Sequence, residues 1–326
     1  MSLELFDCGS DGEVTRATSG RPFIEVRMKE RVQMLLGVFC LVIAPALCAA
    51  QDETAAPPIQ STAAVFSQDS MNVFLRYAGD PKAMFEFYGA VLGLKQLATY
   101  KVGANANVAR FDVGSSQVKF TAIDPKRSYQ HGAIQDATGL RLLTFFFPDK
   151  DPLLEGFRSH NLPIPEFHPL AGSKRTSALA QDPEGHWVEI VIAPDEPRAT
   201  YEHIEIGLVV SNLEASRKFY RDFIGLAELP PVEDPMLHTT KYPYRNGTTI
   251  VSLRCFGHPL PADTGSGGIQ YVVSDANAVE TLAKARQVKI DQPLSTLQGY
   301  GMRFIWLEDP DGITNYYAEV PRAKKP

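Results

Sequence analysis

Side chains able to do chemistry are sparse in this chain, and the nearest approach to a constellation is His203 with Glu205. Two residues apart in the alternating segment 203–210, they share one face of a strand, and an imidazole beside a carboxylate suits a divalent ion. Two donors do not hold a metal, so a third would have to come from elsewhere in the fold. Nothing in the sequence resembles a Ser-His-Asp triad, a glycine-rich phosphate loop or a catalytic cysteine. Of the four cysteines, Cys8, Cys40 and Cys48 fall in the first fifty residues, which leaves Cys255 alone on a segment expected to be a buried strand. It reads as a small core residue, and no paired-thiol zinc motif exists. A net charge of −6 with no Lys/Arg block gives no electrostatic footprint for nucleic acid.

The elements that must position these groups come in repeats. Phe87-Tyr88-Gly89-Ala90-Val91-Leu92-Gly93-Leu94 returns as Phe219-Tyr220-Arg221-Asp222-Phe223-Ile224-Gly225-Leu226. Asp182-Pro183-Glu184-Gly185 returns as Asp309-Pro310-Asp311-Gly312 at a nearly equal interval. The chain is a tandem duplication. Phe85, Tyr88 and Leu92 lie at i, i+3 and i+7, one apolar helical stripe, and Gly93 stands where a helix end needs a left-handed residue. Asp-Pro-x-Gly predicts a tight turn feeding a strand, since proline presets one φ and glycine accepts a positive one.

Taken in order, 1–27 has no periodic pattern and is an upstream extension or leader. Met28-Lys29-Glu30-Arg31 opens a charged segment, and the apolar run from Met34 to Ala50 ends in small residues, so 28–50 reads as a cleaved secretory signal. An uncleaved anchor is the competing reading, although the run is short of the ~20 residues a spanning helix needs. Residues 51–68 have little to bury and read as a flexible tether. From 71 onward a βαβββ order is predicted four times: strand Met71–Tyr77, helix Asp80–Leu92 and three strands to Ile123; then units beginning at Leu140, His203 and Ile269. The fold class is α+β, with four modules paired into two domains, 69–193 and 201–321, a linker at 194–200 and a tail at 322–326.

The two repeated motifs resemble those of the vicinal oxygen chelate superfamily, which includes glyoxalase I, bleomycin-resistance proteins, fosfomycin-resistance enzymes and type I extradiol dioxygenases; the resemblance covers about residues 71–320. It implies that paired modules curl their sheets into open cups, where active relatives hold a divalent metal on His, Gln or Glu from the first and last strands of each module. Carried onto this chain residue by residue, the implied positions in the first domain are Val73, Lys119, Leu142 and Glu189, of which only Glu189 matches a metal ligand. In the second domain they are Glu205, with His203 beside it, Ser252, Gly268 or Ile269, and Tyr316 in place of a terminal glutamate.

Strand alternation then places Tyr77 with Lys119, Thr144, Phe146, Trp187 and Glu189 in a first, aromatic-walled cup, with Glu189 bonded to a polar neighbour such as Lys119. It places Arg254, Gln270, Tyr316 and His238 in a second cup, as donors for an anionic or carbonyl-bearing ligand. A one-residue slip would reverse each assignment. Two functions follow: an exported protein whose degenerate ligand positions leave metal-free cups that bind a small oxygenated or aromatic molecule, or a metal-dependent lyase, isomerase or dioxygenase holding its ion on His203, Glu205 and a further donor. The first expects no cofactor, a small-molecule partner, no membrane association after signal cleavage, and a monomer or homodimer.

Overall fold

A computed structural model describes residues 59–102 and 106–321. The expected leader and signal, the first part of the tether and the tail lie outside the described residues. The first module contains β1 (Asn72–Tyr77), α1 (Pro81–Glu86), β2 (Lys95–Val102), β3 (Ala106–Val113) and β4 (Ser116–Ala122). Next come β5 (Gly139–Phe147), α2 (Asp151–Ser159), β6 (His168–Pro169), β7 (Thr176–Gln181) and β8 (Trp187–Ile192). A short helix, α3 (Arg198–Tyr201), lies in the expected linker. The third module contains β9 (Ile204–Val209), α4 (Leu213–Arg217), β10 (Ala227–Glu228), β11 (Val232–Asp234), β12 (Thr239–Asn246) and β13 (Thr249–Arg254). The fourth contains β14 (Gly267–Val273), α5 (Ala276–Ala285), β15 (Ile290–Leu297), β16 (Met302–Glu308) and β17 (Thr314–Glu319).

The strands form two sheets, ordered β15-β16-β17-β14-β1-β4-β3-β2 and β10-β12-β13-β9-β5-β8-β7-β6. Antiparallel β1 and β14 join the first module to the fourth, and antiparallel β5 and β9 join the second to the third. Each curved sheet therefore combines modules from both halves of the sequence. The expectation that each half builds its own cup is corrected on this point.

Both repeated motifs acquire a physical role. The Phe-Tyr helix ends in a wide, π-type turn, with the amide of Leu92 donating to the carbonyl of Phe87 at 2.9 Å. Within the wide turn, the fully buried Tyr88 donates its hydroxyl to Asp182 Oδ2 at 3.0 Å, and Tyr220 does the same to Asp309 Oδ2 at 2.9 Å. Each aspartate also accepts amides of its own tight turn, so one motif clasps the other in both halves. The second acidic residue of each turn caps the end of a first strand: Glu184 accepts from the amides of Ala78 and Gly79, and Asp311 from the amide of Ser211.

The helix-side faces of the strands form one apolar core in which Val73, Leu75, Phe111, Phe120, Ile204, Ile206 and Tyr317 are buried. Residues 59–68 are part of it. The segment expected to be a tether carries the buried Thr62, which donates to the carbonyl of Ile224 at 3.2 Å and lies 3.1 Å from the Tyr317 hydroxyl. Phe66 stacks on Tyr271 with 5.3 Å between ring centres. The low hydrophobicity of this stretch concealed three apolar anchors, Ile59, Val65 and Phe66, and a backbone bond from the amide of Ser67 to the carbonyl of Val272. Among the described residues, no helix is long and apolar enough to cross a membrane.

Candidate functional site

The alternation of β1 decides what the first cup presents. Val73 and Leu75 point into the core, so Asn72, Phe74 and Arg76 face the concave side. The connection from Tyr77 to the helix-capping Asp80 is one residue longer than that from the core-facing Val210 to the capping Asn212. Counting back from the cap therefore gives the right face for Glu205 and the wrong one for Val73. The assignment of Tyr77 to a cup is corrected for the same reason. Its ring packs edge-on against Phe85, 6.5 Å between centres, on the helix side.

The cup of modules one and four encloses a cavity of about 270 Å³. Phe74, Tyr100, Phe304, Trp306 and Tyr316 wall it, with Val108, Leu297 and Met302 filling the gaps. Lys119, Gln270 and Tyr316 all belong here. Lys119 was expected in a different cup from the other two, and the β1–β14 pairing brings them together. The Lys119 ammonium donates to Gln270 Oε1, which also accepts from Asn72 Nδ2 at 3.2 Å. Gly268 is the only type that fits opposite Phe74, because a Cβ there would collide with the phenyl ring and with the carbonyl of Thr314.

Charge in this cup is unevenly neutralised. Arg76 lies 3.7 Å from Asp124, with its guanidinium 5.7 Å from the Phe74 ring centre. Arg110 covers the Tyr100 ring at 5.0 Å and donates to the carbonyl of Ala98. Lys119 has no carboxylate within ion-pairing distance among the described residues. Burial, helped by the positive charge of Arg110, lowers its amine to about 8. Burial also raises the Tyr316 hydroxyl well above the ordinary phenol range, with Tyr100 adding to the effect, so Tyr316 stays a neutral donor.

The cup of modules two and three is built differently. Thr144, Phe146, Trp187, Glu189, His203, Glu205 and Arg254 belong here, a set the expected domain pairing had divided between two cups. Glu189 and Glu205 flank Thr144 on neighbouring strands. Glu189 accepts from Thr144 Oγ1 at 2.8 Å and Ser177 Oγ at 2.6 Å, so its expected partnership with Lys119 is replaced by one with two hydroxyls. Glu205 is buried, accepts from Ser252 Oγ at 2.6 Å, and receives both oxygens' bonds from Lys241 Nζ at 2.8 and 3.1 Å. Burial opposes its charge, yet Lys241 and Arg254 outweigh that and hold its carboxyl below the usual range.

The His203 ring stacks on Phe146 with centres 4.2 Å apart, and among the described residues no third His, Cys, Asp or Glu joins His203 and Glu205 to hold an ion. Arg254, fully buried, lies 2.8 Å from Asp234. Trp187 sits at the floor beside Leu142 and donates its indole N–H to the carbonyl of Gly132 at 2.9 Å. Leu237, Phe256 and Leu260 pack against the same apolar cluster. His238 is exposed on its loop rather than inside the cup.

A family model described as the Glyoxalase/Bleomycin resistance protein/Dioxygenase superfamily matches residues 70–190 and 200–317. The chain belongs to this superfamily. A lactoylglutathione lyase from Oryza sativa subsp. japonica is 27% identical over 154 residues, 44% of this chain and 52% of that protein, so the chain spans about half the length of this curated relative. Glyoxalase I from Zea mays has the same fold, with a TM-score of 0.59 and 22% identity over 77% of this chain and 92% of its own. A putative dioxygenase from Bacillus subtilis superposes with a TM-score of 0.56 and 15% identity, covering 81% of this chain and 87% of its own.

Superfamily membership makes a divalent metal the natural occupant to test, and the donor chemistry of neither cup suits one. The first offers Phe74, Lys119, Gln270 and Tyr316: one amide oxygen, one phenol, an ammonium and a hydrocarbon. In the second, the tethered ammonium of Lys241 already bridges the oxygens of Glu205, and each oxygen of Glu189 accepts from a hydroxyl. Among the described residues no group of three His, Cys, Asp or Glu side chains is placed to hold an ion. What the first cup can do is enclose a small apolar body while presenting donors at its floor. Sequence reasoning missed Phe74, Arg76, Tyr100 and Trp306. The spacing Met302, Phe304, Trp306 on β16 was a usable signal for the last of these.

Proposed function

We propose that this protein is an exported, small-molecule-binding member of the superfamily whose working site is the cup between its first and fourth modules, with no metal taking part. The observation that carries this reading is the aromatic cavity of about 270 Å³ with Phe74, Lys119 and Tyr316 standing where the resemblance calls for His, Gln or Glu. That volume is below the roughly 300–1,000 Å³ of pockets for drug-sized molecules, which suits a compact oxygenated or aromatic compound. Both sheets are completed within one chain, so a monomer suffices. Export rests on the leader-like segment 28–50.

The experiment is a calorimetric titration of the purified full chain with one-ring aromatic compounds, neutral and charged, alongside elemental analysis after growth in metal-rich medium. Millimolar or tighter binding with substoichiometric metal is expected. Stoichiometric Fe, Mn, Ni or Zn would return the chain to the metal-dependent lyase, isomerase or dioxygenase class that the names of its relatives suggest.

A further inference from the structure

The first cup holds more positive charge than its own carboxylates neutralise. Arg76 has Asp124, but Lys119 and Arg110 are served only by an amide oxygen, a backbone carbonyl and a ring face among the described residues. A buried charge without a counter-ion costs free energy that a complementary guest recovers. The walls, by contrast, are rings.

Resting on the binding function above, we propose that the cup selects a one-ring aromatic carboxylate, with the carboxylate seated on the Lys119 ammonium and the ring held between Phe74, Tyr100 and Tyr316. The cavity volume limits the guest to about one ring with a short substituent. Gln270, whose Oε1 accepts from both Asn72 and Lys119, stays in place and holds the ammonium oriented toward the guest. Arg110, on the strand beside Lys119, adds long-range attraction without direct contact. Nothing in the lining supplies a nucleophile aimed at such a guest other than Lys119 itself, and an ammonium paired with a carboxylate is not nucleophilic. The proposed event is reversible capture.

The test titrates the full chain at pH 7 with benzoate and with benzamide, its neutral counterpart of the same shape, in the wild type, Lys119→Met and Lys119→Arg. A charge-assisted hydrogen bond contributes roughly 1.5–3 kcal/mol, so benzoate should bind roughly 10–100-fold more tightly than benzamide to the wild type. Lys119→Met should bring benzoate to no better than the affinity of benzamide for the same variant, and Lys119→Arg should keep part of the preference. If benzamide binds the wild type as tightly as benzoate, or Lys119→Met retains the preference, carboxylate selection is overturned and the pocket reading survives. If neither compound nor any neutral ring binds at millimolar concentration, the pocket reading fails and carboxylate selection fails with it.

Discussion

Lys119→Met should make the ligand-free protein more stable at pH 7, and the gain should disappear at high pH. Lys119 holds its charge in the cup at a cost, since its amine falls from the ordinary 10.5 to about 8 through burial and Arg110. That difference corresponds to roughly 3 kcal/mol at 1.36 kcal/mol per decade. Methionine matches the length and apolar stem, removes the charge, and forfeits the bond to Gln270, worth roughly 1–2 kcal/mol. Gln270 keeps its bond from Asn72, so no acceptor is stranded. The net expectation is a gain of about 1–2 kcal/mol, or about 2–8 °C in Tm. Because the folded amine loses its proton near 8 and the unfolded one only near 10.5, the unfolded chain binds more protons in that window. Wild-type stability therefore rises with pH there and the advantage of the variant shrinks. Chemical denaturation of both proteins at pH 7 and pH 10 checks this. A variant less stable than wild type at pH 7, or a difference that does not change with pH, would refute the description of Lys119 as an unneutralised buried cation. A stability cost concentrated at the residue proposed to hold the ligand is the trade-off expected of a binding site.

Three further outcomes follow from the same geometry. Tyr88→Phe and Tyr220→Phe each remove a hydroxyl from a buried carboxylate and should each cost about 1–3 kcal/mol, nearly additively, in denaturant titrations; a neutral double variant would sink the clasp between the two motifs. Glu205→Ala strands Lys241 beside the fully buried Arg254 and should cost about 3–5 kcal/mol while leaving binding in the other cup unchanged, a contrast read by comparing Tm with Kd for the same preparation. Asp309, raised from 3.8 to about 7 by burial and then by Asp311, keeps in the folded state a proton that the unfolded chain releases. Stability relative to Asp309→Asn should accordingly be greatest below pH 4 and fall as pH climbs toward 7, and a difference independent of pH would contradict that assignment.

The repeats Phe87-Tyr88 and Phe219-Tyr220, with the paired Asp-Pro-x-Gly turns, carried the module count, the fold class and most strand boundaries on the sequence alone, because helix stripes and turn residues are local and periodic. The face of Glu205, Ser252 and Lys119 was likewise legible from alternation. The sequence could not say which modules share a sheet. Pairing of β1 with β14 joins segments nearly two hundred residues apart, and only long-range packing selects it over a neighbouring module. That pairing is what puts Gln270 and Tyr316 beside Lys119 and gives Glu189 the company of Glu205. A single extra residue between Tyr77 and Asp80 reversed the orientation of Phe74 and Arg76, since side chains on a strand change face at every step. The ordered segment 59–68 was hidden for a related reason: the Phe66 ring and the Thr62 hydroxyl matter only once Tyr271 and Tyr317 are in place to receive them. Composition and period determined what the pieces are; which piece faces which was settled by the tertiary structure, where charge and shape have to be satisfied at once.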